Sequence, residues 1–147
     1  MIEYNGEHLL IGQIGMFLTL LAFFSALLAM YANIKASNAA DVLEEKPWQK
    51  LARTSYIINA FAVLSLFITL YLIIYNHYFE YKYAHTHSKR SLDVQYLLSC
   101  FWEGQEGSFM LWAFWNAVLG VFLIKRSGKF EHPVMTVMSV AQIFLAS

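Results

Sequence analysis

Charge is scarce in this chain, and cysteine scarcer. Charged residues fill 14% of its 147 positions, against roughly 25% in soluble domains, while 59% are hydrophobic and the mean hydropathy is +0.47. A composition so apolar belongs in a bilayer. Formal net charge is zero, with 10 Lys+Arg against 10 Asp+Glu. No basic surplus is present to neutralise phosphates, which argues against nucleic acid as a partner. The single cysteine, Cys100, can form neither an internal disulfide nor a Cys-x-x-Cys pair, and reads as a small buried apolar residue. The length suits one compact unit and leaves no room for a second folded body beside several membrane spans.

What the chain does have is long apolar runs. Leu9–Ala32, Ile57–Tyr75 and Ser108–Ile124 each hold about the 17–25 residues that a helix needs to cross a hydrocarbon core of roughly 30 Å. The first reads as a retained span rather than a signal peptide, because Glu3 and Glu7 precede it and no Lys or Arg occurs before Lys35. A fourth run follows His132, with Pro133 suited to the first turn of a helix. From Pro133 to Ser147 it rises only about 22 Å, short of a crossing. The expected fold is therefore all-α: three full spans, an incomplete fourth, and the character of the front portion of a longer protein.

Positive charge sets the expected orientation. Lys35, Lys46, Lys50 and Arg53 lie between the first and second runs, and Lys125, Arg126 and Lys129 between the third and fourth. The opposite side has only Lys82, Lys89 and Arg90. The positive-inside rule then puts the N-terminus outside and makes residues 76–107 an external loop, periplasmic in a Gram-negative host. Within that loop, His85 and His87 have the spacing to share a metal on an extended strand, or they are solvated loop histidines. Ser91 to Trp102 reads as a short amphipathic helix, with Leu92, Tyr96, Leu97 and Phe101 on one stripe. It either lies on the membrane surface or packs against neighbouring spans.

The segment from Phe101 to Trp115, FWEGQEGSFMLWAFW, joins a charged glycine-rich turn directly to an aromatic apolar run. Glu103 and Glu106 are spaced as a carboxylate pair, but the glycines between and after them favour a turn ahead of a helix, where an acid suits the positive end of the dipole. Ser108 is placed to cap the third span. Trp112 and Trp115 fall nearly on one face, where a flat cofactor or another helix could stack, or where they would serve an interfacial belt.

Two stretches carry a resemblance. Tyr83-Ala-His-Thr-His87-Ser88, followed by Trp102-Glu-Gly104-Gln-Glu106-Gly107-Ser108-Phe-Met-Leu111-Trp112, resembles the N-terminal region of CcmF-type cytochrome c maturation proteins. That heme-handling family has Tyr-Val-Ala-x-His-Ser-Asn and then Trp-Gly-Gly-x-Glu-Gly-Ser-Leu-Leu-Leu-Trp at the mouth of its third helix. The opening, Gly6 to Gly15, is similar to Bacteroidetes-type members. The resemblance implies a polytopic inner-membrane protein that holds heme at its outer face. It also implies help in forming thioether bonds between heme vinyl groups and the Cys-x-x-Cys-His thiols of apocytochrome c, alongside other maturation proteins and in contact with membrane lipid.

The family's heme ligands lie in later helices and loops, so the resemblance implies no catalytic, metal or heme-binding residue here and no cofactor held by this segment alone. It carries over an architectural role for Trp102, Gly104, Glu106, Gly107, Ser108 and Trp112 at the outer end of the third helix. Departures are Met16 where a histidine is frequent, Lys89 for the asparagine of the first stretch, and Glu103 for the first motif glycine. The second reading is a small accessory membrane subunit with no chemistry of its own.

Overall fold

The computed structural model describes residues 9–75 and 105–147. The external loop, His77, His85, His87, the amphipathic stretch 91–102, Glu103, Trp102 and Gly104 therefore lie outside the described residues, apart from 105–107 at the loop's end. Among the described residues the chain is all helix: α1 (Leu9–Ser37), α2 (Val42–Tyr75), α3 (Gln105–Arg126) and α4 (Glu131–Ala146), with a 3-10 turn at Gly128–Phe130. The fold class expected from the sequence is what forms.

Helix ends follow local chemistry. The Asp41 carbonyl accepts the first amide bonds of α2, from Glu44 and Glu45, which bring acid to the positive end of the dipole. Lys35 closes α1, and Lys125 with Arg126 closes α3, each cation at a negative helix end. Gly128, with φ of 51°, is the left-handed residue just past the end of α3, a conformation that glycine adopts without Cβ strain.

Two helices run further than hydropathy indicates. The second was expected from Ile57 but begins at Val42, and α1 runs past Ala32 to Ser37. Leu, Ala, Glu, Lys and Gln are all good helix formers, so the polar stretch continues the helix where the apolar pattern stops. Pro47 is accommodated in the second turn of α2, close to the end where backbone amides lack partners anyway.

The helices alternate in direction. Each packs on two neighbours in the order α1, α2, α3, α4 and back to α1. The end of α1, the start of α2, the end of α3 and the start of α4 thus share one end of the bundle, and with them all seven cations of the two connecting segments. Alanines line the inside: Ala22, Ala26, Ala29, Ala32 and Ala36 on α1 meet Ala52 and Ala62 on α2 and Ala113 and Ala117 on α3. Small residues let helix backbones approach closely, the usual arrangement between helices in lipid.

Large apolar side chains point the other way. Phe17, Phe24, Phe61, Ile68, Trp112, Phe122, Val137 and Phe144 are all at least half exposed. An outer surface greasier than the interior is solvated by hydrocarbon rather than water. Three helices, over Leu10–Ser37, Val42–Leu72 and Gly107–Arg126, are long and apolar enough to cross a membrane. The α4 helix, of 16 residues, reaches only about 24 Å.

Candidate functional site

The described part of the aromatic motif forms the start of α3. Glu106, Gly107 and Ser108 all lie in its first turn, because the helix begins at Gln105. Ser108 is therefore inside the helix rather than capping it, a correction to the sequence expectation. Gly107 is buried. Trp112 is 65% exposed and Trp115 53%, so both look outward from the bundle. Phe114 is the ring that turns toward a neighbour, stacking on Phe67 of α2 with centroids 5.0 Å apart. Phe109 and Trp112 meet edge to face at 6.4 Å. This end of α3 presents an aromatic collar to the surroundings.

At the opposite end, polar side chains join three helices. Glu45, Gln49 and Arg53 recur at helical spacing along α2 and face the first turn of α4. Arg53 grips Glu131 with two bonds, Nε to Oε1 at 2.6 Å and a terminal nitrogen to Oε2 at 2.7 Å. Gln49 adds a bond to Glu131 at 3.3 Å. The Glu131 side chain is 5% exposed, whereas Arg53 keeps 44% of its side chain in contact with the outside. His132 is engaged through both ring nitrogens, Nε2 with Glu45 at 2.9 Å and Nδ1 with Asn33 of α1 at 3.4 Å. Asn33 in turn donates to the Ala29 carbonyl.

A second polar layer lies deeper. The Tyr56 hydroxyl donates to the Asn116 carbonyl oxygen at 3.0 Å, and the side chain is fully buried. It lies directly over Gly120, where an added Cβ would come within 2.1 Å of its oxygen. The Asn116 amide donates to Met138 O and to the Gln142 side-chain oxygen. Gln142 Nε2 reaches Ala113 O at 3.5 Å. Asn59 donates to Ala22 O at 2.7 Å, and among the described residues its own Oδ1 has no hydrogen-bond partner.

Of these polar residues Arg53 enters the charge reading, as a topology signal, and no motif marks the others as partners. A signal was present in Asn59 and Asn116, which interrupt apolar runs, since an amide in a membrane span is costly unless it finds a partner. Among the described residues no group of three or more His, Cys, Asp and Glu is arranged to hold a metal. No protein-family model, curated protein or solved structure matches the chain.

Proposed function

We propose that this chain is the N-terminal membrane segment of a CcmF-type cytochrome c biogenesis protein. It sits in the bacterial inner membrane with its N-terminus in the periplasm. The whole protein would handle heme and help ligate it to the Cys-x-x-Cys-His motif of apocytochrome c, with other maturation proteins and apocytochrome c as partners. The observation that carries the reading is the ordered match over Trp102, Gly104, Glu106, Gly107, Ser108 and Trp112. Two features support it. The matched residues that are described begin a long apolar helix, and that helix end is opposite the seven cations, the polarity expected of a motif on the extracytoplasmic side.

Heme itself finds no axial ligand in His132, the one histidine among the described residues. Both its ring nitrogens are taken by Glu45 and Asn33, at the cation-rich end of the bundle. On this reading the family's heme ligands belong to other segments, and the role assigned to the described residues is to shape the outer end of α3. Gly107 leaves room for close packing there, and the aromatic collar seats the helix at the headgroup level.

The reading is tested in the source organism by replacing Gly107→Leu and Trp112→Ala in the genomic copy and staining membranes for covalent heme. Loss of most holocytochrome c, with the chain still present by immunoblot, is the expected result. Unchanged holocytochrome c after deletion of the whole gene would remove the proposal and leave the accessory-subunit reading.

A further inference from the structure

Two adjacent spans leave a groove open to the surroundings. Between α2 and α3 a cavity of about 280 Å³ is lined by side chains of those two helices. Its small residues are the covered ones, Ala117 buried and Ala60 half-buried, while Ile57, Phe61, Leu64 and Val118 stand exposed as rims. At the outer end Phe114, which also lines the groove, stacks on Phe67 with ring centroids 5.0 Å apart. An apolar groove on helices that cross a bilayer is filled by hydrocarbon.

Both stripes that line it continue into cations. On α2, Lys50 is seven residues before Ile57 and eleven before Phe61, spacings that return to the same helix face. On α3, Lys125 is four residues after Val121, another lining residue, and seven after Val118. At 1.5 Å per residue the two lysines stand roughly 6–10 Å beyond the groove, at the charged end of the bundle. Both are exposed, and among the described residues neither has an ion-pair partner. Arg53, one turn before Ile57, is by contrast already held by Glu131. No Asp or Glu occurs between Lys46 and Ile57 or between Val121 and Phe130, so neither stripe brings a carboxylate of its own.

We infer that this groove is a binding site for one anionic phospholipid, its acyl chain lying between α2 and α3 and its phosphate met by Lys50 and Lys125. The groove takes the chain and the lysines select the headgroup. A basic site between membrane helices recognises anionic lipid, and an ammonium serves a phosphate as a compact point charge. A zwitterionic lipid brings its own ammonium beside the phosphate and gives the two lysines less. A further helix fits worse, since its body is about 10–12 Å across and helices in lipid meet through small residues, whereas the rims here are phenylalanine, isoleucine and leucine. The site requires only that these helices cross a bilayer with the charged end among headgroups, and it stands apart from the heme reading.

Native mass spectrometry of the full chain in detergent micelles tests this, with dioleoylphosphatidylglycerol and dioleoylphosphatidylcholine titrated in turn. One phosphatidylglycerol should bind roughly 30-fold more tightly than phosphatidylcholine, the effect of two lysines that each favour an anionic headgroup about fivefold. Lys50→Gln/Lys125→Gln should erase that preference. Lys35→Gln/Lys129→Gln removes as much charge from elsewhere at the same end and should keep it. Val118→Trp fills the groove and should weaken both lipids. Equal retention of the two lipids by the parent chain overturns the headgroup assignment, and equal loss of preference in the two lysine pairs reduces the site to diffuse surface charge. A dimer that disappears in Val118→Trp would put a second copy in the groove and exclude the lipid. Should Val118→Trp fail to fold, the lysine pairs decide, because exchanging exposed lysines for glutamine leaves the packing intact.

Discussion

Tyr56 packs directly over Gly120. A tyrosine ring is large and its hydroxyl must be paired when buried, so the ring needs both space and an acceptor. Gly120 supplies the space, and the Asn116 carbonyl one turn before it supplies the acceptor at 3.0 Å. Gly120→Ala would place a methyl 2.1 Å from the hydroxyl, a distance that forces either the ring or α3 to move. Overpacking of this kind costs about 1–3 kcal/mol, and the expected outcome is a lower melting temperature in mild detergent. Tyr56→Phe loses one hydrogen bond, worth about 1 kcal/mol, and its ring carbons would still meet the added methyl, but a ring already displaced by Gly120→Ala has no bond to Asn116 left to lose. The double variant Tyr56→Phe/Gly120→Ala should therefore be more stable than the sum of its single changes implies, since residues in contact do not add independently. Strict additivity in thermal unfolding would show that the two side chains do not touch.

At the scale of the helix, α4 is the element most in need of fastening. It is the shortest of the four, and its first turn is held by α2 and α1 through Glu131 and His132. The two partners of the ion pair are unequal: Glu131 has 5% of its side chain exposed and Arg53 has 44%. Removing the arginine strands a buried carboxylate, whereas removing the carboxylate leaves a guanidinium that can still reach water. Arg53→Met is thus expected to destabilise by about 2–3 kcal/mol and Glu131→Gln by about 1 kcal/mol, values between those of surface and fully buried pairs. Unfolding of each variant in detergent checks the order, and equal losses would mean that Glu131 is solvated. This latch also shows where sequence reading ends. The three spans were legible because lipid demands unbroken apolar length, which hydropathy records directly. The first turns of α2 were not, because residues such as Glu45, Gln49 and Arg53 look like a solvated connection until a partner at Glu131 and His132 is known. Ser108 was misplaced for a related reason, since Gln105 and Glu106 extend the helix ahead of it. The motif at the start of α3 stands out in the sequence as a pattern, but the polar layer around Asn59, Asn116 and Gln142 depends on which faces meet, and nearly uniform apolar runs do not encode that.

For the whole molecule, the decisive feature is the segregation of charge. Lys35, Lys46, Lys50, Arg53, Lys125, Arg126 and Lys129 gather at one end of the bundle, on three helices and the 3-10 turn. The α2 helix, at 34 residues and about 51 Å, is longer than a hydrocarbon core of roughly 30 Å. Its polar first turns therefore stand clear of the lipid at that end, carrying Lys46 and Lys50 with them. Cations on short loops resist translocation, so this end is expected to stay in the cytosol. Alkaline phosphatase fused after Ala40 or after Gly128 should be inactive, and the same reporter inserted among residues 76–100 should be active. Replacing Lys35, Lys46 and Lys50 together by Gln weakens the bias on one of the two connections, so a mixed reporter signal is expected from that variant and not from the parent chain. Activity of the fusion after Ala40 in the parent would invert the bundle. Glu106, Gly107 and Ser108 would then face the cytosol, and a motif proposed to shape an extracytoplasmic heme platform would be on the wrong side of the membrane.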